Sequence, residues 1–304
     1  MIVLGYGSTA LRGALLAAEG TVLAEHAAAR GLLSVPPGGW QASFDAEFGV
    51  WCRAHPGLLC LMAGMVGSRQ GWAEAAYLPC PAGLHDLAQR LLWVLPGGVA
   101  IVPGLSTEAD GVPDVLRGEE TQVFGALQSL AEPSASHTLV LPGTHSKWVQ
   151  VQDERIVGLR THMTGECYAL LRQQSILARM LPTDDGDLVP EAFDAGVAQA
   201  FGPGGLLHHV FSVRTLALFN RAGGPALASR LSGLLIGEEL RAQGLPAGMP
   251  VLVLASPALA MRYQRALAQR GHPVQLVPAD ATWQGLLAIA RAAALLPHPG
   301  TLQP

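Results

Sequence analysis

Two stretches of the chain, about half its length apart, repeat one pattern of strand, glycine turn and strand. An apolar run leads into a Gly-Ser-Thr triplet at 7–9 in the first copy and into a Gly-Thr-His triplet at 143–145 in the second. Each triplet is followed by a strand with a basic residue near its start, Arg12 or Lys147. Glycine lets backbone amides approach an anion, and a hydroxyl beside it can donate to a phosphate oxygen. Two such turns facing one cleft would hold the phosphates of a nucleotide from both sides, which favours a phosphotransferase.

The predicted nucleotide contacts come from these two turns and the strands that follow them: Gly7, Ser8, Thr9, Arg12, Gly143, Thr144, His145 and Lys147. The competing interpretation is a plain hairpin at each place, because Gly-Ser-Thr turns are common, and the duplication weighs against it. Neither copy fits G-x-x-x-x-G-K-S/T or G-x-G-x-x-G, so a P-loop or a dinucleotide site has no direct support.

Composition and charge exclude several classes of protein. The apolar runs are broken well before the 18 or more residues that a membrane-spanning helix needs, and the N-terminus lacks a basic leader, so we expect no signal peptide. A net charge of −4 disfavours nucleic acid as a partner. The 4 cysteines form no C-x-x-C pair, which fits a reduced cytoplasm. A charged fraction of only 14% permits a homodimer interface.

The order of predicted elements indicates two α/β lobes. The first half contains three strands and then alternating helices and strands, at 2–5, 11–17, 20–26, 41–54, 58–62, 83–92 and 99–102. The second half starts again with three strands at 137–161 and then becomes mainly helical. This order mixes hairpin and crossover connections, which predicts mixed sheets flanked by helices. We therefore expect two ribonuclease H-like lobes around an interlobe nucleotide cleft, as in the actin, hexokinase and heat-shock ATPase superfamily, with a Rossmann-like fold as the alternative. The N-terminal lobe, 1–133, would carry a substrate-binding loop, and the C-terminal lobe, 134–304, the second phosphate turn and the nucleotide-base region.

The first candidate catalytic segment runs from Arg117 through Glu119 and Glu120 into a helix. Adjacent acids in a first helical turn can simply complement the helix dipole and cap free amides. As a catalytic group, either carboxylate could deprotonate a substrate hydroxyl before it attacks a γ-phosphate. Arg117 could bind a carboxylate or phosphate bidentately. The spacing does not choose between the two acids.

A second candidate site is the glycine-rich segment 62–72, which follows a buried strand and contains Ser68, Arg69 and Trp72. It can be read as a flexible turn, but its polar residues at the end of a strand suggest a binding site for a small molecule. Thr164 and Glu166 begin a later helix, where they either cap it or contact the substrate. The histidines show no ligand spacing typical of a zinc site, and no residue is assigned to a metal.

At these residues the chain resembles the 2-dehydro-3-deoxygalactonokinase family, over nearly its whole length. The motifs that carry the resemblance are Met62–Ser68, Gly71-Trp72, Arg117–Gln122, Pro142–Trp148, Met163–Glu166, Leu231–Gly237 and Arg262–Gln264. The resemblance implies phosphorylation of the 6-hydroxyl of 2-dehydro-3-deoxy-D-galactonate with ATP and Mg²⁺. It also implies that Ser256 belongs to an adenosine-binding turn.

The chain departs from the family pattern on the nucleotide side. Family members usually open with Asp-x-Gly-Ser-Thr-Asn-Leu-Arg, and here Gly5 and Ala10 stand at the Asp and Asn positions. A later Ala-Gly-Thr-Ser-Leu stretch reads Ala-Ser-Pro-Ala-Leu at 255–259. Loss of a metal-linked carboxylate, a glycine and two hydroxyls predicts a kinase with weakened catalysis. A non-catalytic sugar-acid-binding or regulatory relative is the alternative, and an α/β oxidoreductase is disfavoured because no dinucleotide fingerprint is present.

Overall fold

The structure is a computed structural model that describes residues 1–184, 186–278 and 280–296. The strands in these ranges are β1 Ile2–Tyr6, β2 Leu11–Leu16, β3 Val22–Ala28, β4 Cys60–Gly64, β5 Leu78–Pro79, β6 Ala82–Gly83, β7 Leu92–Leu95, β8 Val99–Ile101, β9 Leu105–Ala109, β10 Val112–Leu116, β11 His137–Leu141, β12 Ser146–Gln152, β13 Arg155–His162, β14 Val251–Val253 and β15 Val274–Leu276. The α-helices are α1 Trp40–Ala54, α2 Leu84–Ala88, α3 Glu119–Gln128, α4 Thr164–Gln174, α5 Pro190–Ala200, α6 Gly205–Leu218, α7 Gly224–Gln243, α8 Pro257–Gln269 and α9 Ala281–Ala292.

The described chain divides into two compact units that are discontinuous in sequence. Unit 1 contains residues 1–136 and 149–160 and the segment from 278 onward, and unit 2 contains 137–148 and 161–277. In unit 1 a mixed sheet has the strand order β3-β2-β1-β4-β8-β7. β1 runs antiparallel to β2 and parallel to β4, as the predicted mixture of hairpins and crossovers requires. The buried side chains of Ile2, Leu4, Met62 and Phe48 form the centre of its core.

Two glycines let α3 and α9 pack in direct backbone contact. A Cβ at Gly125 would lie 1.7 Å from the Ala281 carbonyl oxygen, and one at Gly285 would lie 1.7 Å from the Thr121 carbonyl oxygen. No side chain fits at either position. The last described helix therefore packs against the helix that begins with the two candidate catalytic acids.

Unit 2 contains a sheet in the order β15-β14-β11-β12-β13, in which β11, β14 and β15 are parallel. Its largest helix, α7, packs closely against α5 because Gly196 and Gly233 leave no room for a Cβ between the two helices. The outer part of the β12–β13 hairpin, residues 149–160, belongs to unit 1, where β6 pairs with β13.

The secondary structure of unit 1 differs from the prediction in two places. The helix predicted at 83–92 ends at Ala88, and Leu92 begins a strand that pairs with β8. The hairpin of β9 and β10, which pairs with β5 in a small sheet, was not predicted from the sequence. Its turn is Asp110-Gly111, with φ of 54° and 76°. Asp-Gly between two strands is a strong local hairpin signal.

None of the helices in the described ranges has the length and apolar character needed to cross a membrane. The predicted tail at 298–304 lies outside the described residues.

Candidate functional site

The first glycine turn joins β1 to β2 and is buttressed by the segment around Gly31. The Gly7 amide donates to the Ala10 carbonyl at 2.8 Å, which closes the turn. The Leu32 amide donates to the Gly7 carbonyl at 3.1 Å. A Cβ at Gly31 would lie only 2.5 Å from the Gly7 oxygen and 2.5 Å from the Thr9 nitrogen. Gly31 therefore allows this buttress to form, and sequence reasoning missed it because nothing in the local pattern marks it.

The turn itself is open to solvent on its outer side. Gly7, Ser8 and Thr9 are exposed, and the amides of Ser8 and Thr9 make no backbone hydrogen bond within the described ranges. Arg12 follows in β2, with its side chain also exposed. Two unused amides, two hydroxyls and a guanidinium in one turn are suited to bind an anion.

A cavity of about 300 Å³ lies beside this turn, within unit 1. It is lined by Gly5, Tyr6, Gly7, Ala10, Arg12, Ala63, Gly64, Arg117, Gly118, Glu119, Thr121, Gln122, Thr282 and Trp283. The structure thus brings the first turn together with two of the three predicted catalytic residues. Gly5 faces open space, since a Cβ there would have no heavy atom within 4 Å.

Arg117 is held in place by Ala75 and Tyr77, which belong to the loop before β5. Its Nη2 donates to the Ala75 carbonyl at 2.8 Å, its Nε donates to the Tyr77 hydroxyl at 3.3 Å, and its guanidinium lies 4.1 Å above the Tyr77 ring. Its Nη1 is buried without a hydrogen-bond partner among the described residues. A buried donor without a partner is costly, so the hydrogen bonds of Nη2 and Nε are what hold this side chain.

The two acids that follow Arg117 have different environments. Glu119 lines the cavity and accepts a hydrogen bond from the Arg117 amide at 2.9 Å. Glu120 is 0% exposed, and its Oε2 accepts from the Gly118 amide at 2.6 Å. Burial, with the Glu119 charge as the second cause, raises the pKa of Glu120 to about 8. Glu119 is therefore the acid that a ligand in the cavity can reach.

The predicted substrate loop is ordered by its own hydrogen bonds. Ser68 Oγ donates to the Met65 carbonyl at 2.7 Å, and the Trp72 amide donates to the Val66 carbonyl at 2.8 Å. The Trp72 ring packs against Phe44, with 5.7 Å between the ring centroids. Arg69 is highly exposed and lies 3.5 Å from Glu74. Ser68, Arg69 and Trp72 are not among the residues that line the 300 Å³ cavity, so their contact with a substrate stays a prediction.

The second glycine turn lies in unit 2 and packs against the start of α4. A Cβ at Gly165 would lie 2.3 Å from the Gly143 oxygen, and the Glu166 amide donates to the Thr144 carbonyl at 2.9 Å. The side chains of His145 and Glu166 contact each other at 2.6 Å between Nε2 and Oε2. These two predicted contact residues therefore form a pair at the rim of the turn.

The side chains of Lys147, in β12, and Thr164, in α4, point into unit 2 beside that turn. Lys147 is buried, and its Nζ donates to Thr161 Oγ1 at 2.9 Å. Thr164 donates to the carboxylate of Glu239, which is also buried. Sequence reasoning missed Glu239 because its donors are far away in the chain.

A cavity of about 220 Å³ borders the second turn, within unit 2. It is lined by Pro142, Gly143, Thr164, Gly165, Tyr168, Ser232, Leu235, Ile236, Ala258, Leu259, Arg262 and Tyr263. Arg262 Nη1 donates to Ser232 Oγ at 2.9 Å on its wall. Ser256 precedes α8, which supplies one side of the cavity, but does not itself line it. An apolar wall with a few polar groups is typical of a site for a small organic molecule.

These residues fit a nucleotide better than they fit a protein-bound metal. The second turn and the strand before the first turn leave room for an anion, since among the described residues a Cβ at Gly143 or at Gly5 would meet nothing within 4 Å. The described residues contain no group of three His, Cys, Asp or Glu side chains that could hold a metal ion. Among the described residues that line the 300 Å³ cavity, Glu119 is the single carboxylate. Mg²⁺ commonly binds through one or two carboxylates together with substrate phosphates and water.

Comparison of the sequence with known proteins matches the chain to a family. The family model for 2-keto-3-deoxy-galactonokinase matches residues 5–289. A probable 2-dehydro-3-deoxygalactonokinase of Rhizobium meliloti (strain 1021) is 35% identical over 295 residues, which cover 94% of this chain and 95% of the relative. The 2-dehydro-3-deoxygalactonokinase of Escherichia coli (strain K12) is 37% identical over 237 residues, which cover 77% and 79%.

A solved structure also matches the fold of this chain over nearly its whole length. A crystal structure of a protein assigned as a 2-dehydro-3-deoxygalactonokinase from Sinorhizobium meliloti superimposes with a TM-score of 0.84 at 33% identity, covering 96% of this chain and 98% of that one. The predicted α/β fold with mixed sheets and flanking helices is confirmed, as are the predicted family and the class of enzyme, a phosphotransferase with an alcohol acceptor. The chain belongs to the 2-keto-3-deoxy-galactonokinase family.

Proposed function

We propose that this protein is an ATP-dependent kinase that phosphorylates the 6-hydroxyl of 2-dehydro-3-deoxy-D-galactonate, with catalysis weakened by Gly5. The observation that carries the proposal is the cavity of unit 1, where Glu119 and Arg117 share one wall with the first glycine turn. A carboxylate and an anion-binding turn beside one cavity are the parts that phosphoryl transfer to a hydroxyl requires. The names of the relatives support the sugar acid as acceptor.

In the proposed reaction, Glu119 accepts the proton of the substrate hydroxyl as its oxygen forms a bond to the γ-phosphorus. The bond between that phosphorus and the oxygen bridging to the β-phosphate breaks, and ADP leaves with the bond's electron pair. General-base catalysis of this kind contributes about a hundred- to ten-thousand-fold. Arg117, which lines the same cavity, would bind an oxygen of the sugar acid or of the transferred group. This assigns Glu119 as base and Glu120 as a support for the Gly118 amide.

Within unit 2 the nucleotide would be bound by the second glycine turn, with its base in the 220 Å³ cavity. Mg²⁺ would neutralise the phosphates. Because Gly5 supplies no carboxylate at the end of β1, the metal would depend on the phosphates and on water. The 4 cysteines are unpaired, which supports the proposed cytoplasmic location. A homodimer stays a prediction.

A coupled assay of ADP release at millimolar Mg-ATP, with and without the sugar acid, tests the proposal. We expect ADP release that depends on the sugar acid. The second candidate, a non-catalytic sugar-acid-binding relative, is favoured by Gly5 and by Ala-Ser-Pro at 255–257. It predicts binding of the sugar acid in calorimetry without ADP release. Absence of both binding and ADP release would contradict both candidates.

A further inference from the structure

One buried carboxylate in unit 2 accepts more hydrogen bonds than any side chain proposed above to contact a ligand. Glu239 lies in α7 and is 2% exposed. Its Oε1 accepts hydrogen bonds from Ser146 Oγ and Trp148 Nε1, each at 2.7 Å. Its Oε2 accepts from the Tyr263 hydroxyl at 2.7 Å and from Thr164 Oγ1. Four donors therefore converge on one carboxylate that is almost completely removed from solvent.

The donors come from the elements that border the second turn and the 220 Å³ cavity. Ser146 directly follows the turn at 143–145, and Trp148 continues the same strand. Thr164 directly precedes Gly165, the residue that packs on the turn. Tyr263 lies in α8 and lines the cavity. Glu239 thus joins the end of the turn, the start of α4 and the inner face of α8.

We propose that Glu239 is a positioning residue for the nucleotide: it holds the second turn, α4 and α8 in their binding arrangement without lining the cavity itself. The inference rests on the proposed function, since it takes the turn and the cavity as the nucleotide site. It adds a residue that acts through Ser146, Thr164 and Tyr263.

The chemistry of the site favours this role over one in general stability. Buried polar clusters of this kind can be replaced by apolar side chains of similar volume with little loss of stability, so stability alone does not require a carboxylate here. Positioning of the second turn, α4 and α8 does require the carboxylate, because its hydrogen bonds to four donors fix these elements relative to one another. Burial, together with the nearby Glu239 carboxylate, holds the pKa of Tyr263 well above its ordinary value, so the phenol keeps its proton and donates.

The test compares Glu239→Gln with the matched control Glu238→Gln. Glu238 is the neighbouring acid, which pairs with the exposed Arg241. A glutamine at position 239 keeps the volume but has a single acceptor oxygen, so the hydroxyls of Thr164 and Tyr263 must turn round. The probe is the magnesium complex of adenosine 5′-(β,γ-imido)triphosphate, titrated calorimetrically into the full chain. The sugar acid is titrated separately, and circular dichroism reports folding.

We expect Glu239→Gln to weaken nucleotide affinity by about tenfold, the equivalent of one charge-assisted hydrogen bond. Sugar-acid affinity should stay within about twofold, and Glu238→Gln should change neither value. If Glu239→Gln does not fold, Ser146→Ala removes a single donor and should weaken nucleotide affinity about threefold, a fraction of the same hydrogen-bond contribution.

Wild-type nucleotide affinity in Glu239→Gln, or in Ser146→Ala where that variant is used, would overturn this inference alone. An equal loss of affinity for both ligands would do the same, since it would indicate a general structural role. Failure of the unmodified protein to bind the nucleotide analogue would instead overturn the proposed function, and this inference with it.

Discussion

The most direct test of the weakened nucleotide site is to give β1 the carboxylate that it lacks. Gly5 lines the 300 Å³ cavity, and a Cβ there would have no heavy atom within 4 Å. Its φ lies outside the left-handed region, so an ordinary side chain fits the backbone. We therefore expect Gly5→Asp to fold like the wild type, with its new carboxylate pointing into the cavity.

The size of the expected gain follows from two competing interactions of that carboxylate. Gly5 lies directly opposite Arg12 in the β1–β2 ladder, so the carboxylate can pair with the guanidinium. Opposite charges across a sheet contribute only about 0.2–1 kcal/mol. A carboxylate that holds Mg²⁺ and its waters against developing phosphate charge contributes several kcal/mol. The metal interaction should dominate, and turnover should rise tenfold or more, at about 1.4 kcal/mol per tenfold.

Steady-state kinetics by coupled ADP release, measured across a Mg²⁺ titration, checks this expectation. Gly5→Asn is the matched control, because it adds the same shape without the charge and should leave turnover unchanged. Gly5→Asp should also lower the Mg²⁺ concentration needed for half-maximal rate. Wild-type turnover of about 1–100 per second, the ordinary range of kinases, with no gain in Gly5→Asp, would refute the reasoning. Another group would then hold the metal.

Three further predictions concern unit 1. Glu119→Gln should lower kcat by about a hundredfold or more, with little change in KM for ATP, and Glu120→Gln should lower it far less; equal losses in steady-state kinetics would contradict the choice of base. Because burial raises the pKa of Glu120 from 4.5 to about 8, the fold favours its protonated form. Stability should therefore fall as pH rises between these values, and urea denaturation of Glu120→Gln should show a weaker fall; an unchanged pH dependence would contradict the assignment. Gly31→Ala should weaken binding of the ATP analogue, since its Cβ would lie 2.5 Å from the Gly7 oxygen. Gly98→Ala, which meets no atom within 4 Å, is the control, and similar calorimetric affinities for both variants would contradict the buttress.

The two turns and the main strands could be predicted because their signals are local. β1 and β2 lie within one or two residues of their predicted bounds, since apolar runs and the intervening Gly-Ser-Thr triplet fix them without reference to the rest of the chain. In unit 2, α5 to α8 lie within two residues of the predicted helices, but α4 begins at Thr164, six residues before the predicted start at Leu170. Among the strands, β9 and β10 were missed although Asp110-Gly111 between them is also a local signal.

The parts of the site that could not be predicted depend on contacts between distant segments. Glu239 is 93 residues from Ser146 along the chain, and no pattern in α7 distinguishes it from Glu238. The choice between Glu119 and Glu120 likewise depends on the orientation in which α3 begins. Gly118, with a φ of 107°, sets that orientation, so that one acid faces the cavity and the next is buried.

The glycine contact between α3 and α9 has a consequence for how the chain folds as it is made. Residues 1–136 of unit 1 are synthesised before unit 2, yet α9, which covers α3, is synthesised after it. Unit 2 is fully synthesised at residue 277, before α9 exists. Domains generally fold in the order of synthesis. Here the synthesis of unit 1 starts before that of unit 2 but is completed after it. Until then α3, with its buried Glu120 and the backbone contact at Gly125, lacks its partner. A chain shortened by its last 27 residues would therefore lose its N-terminal unit rather than its C-terminal one.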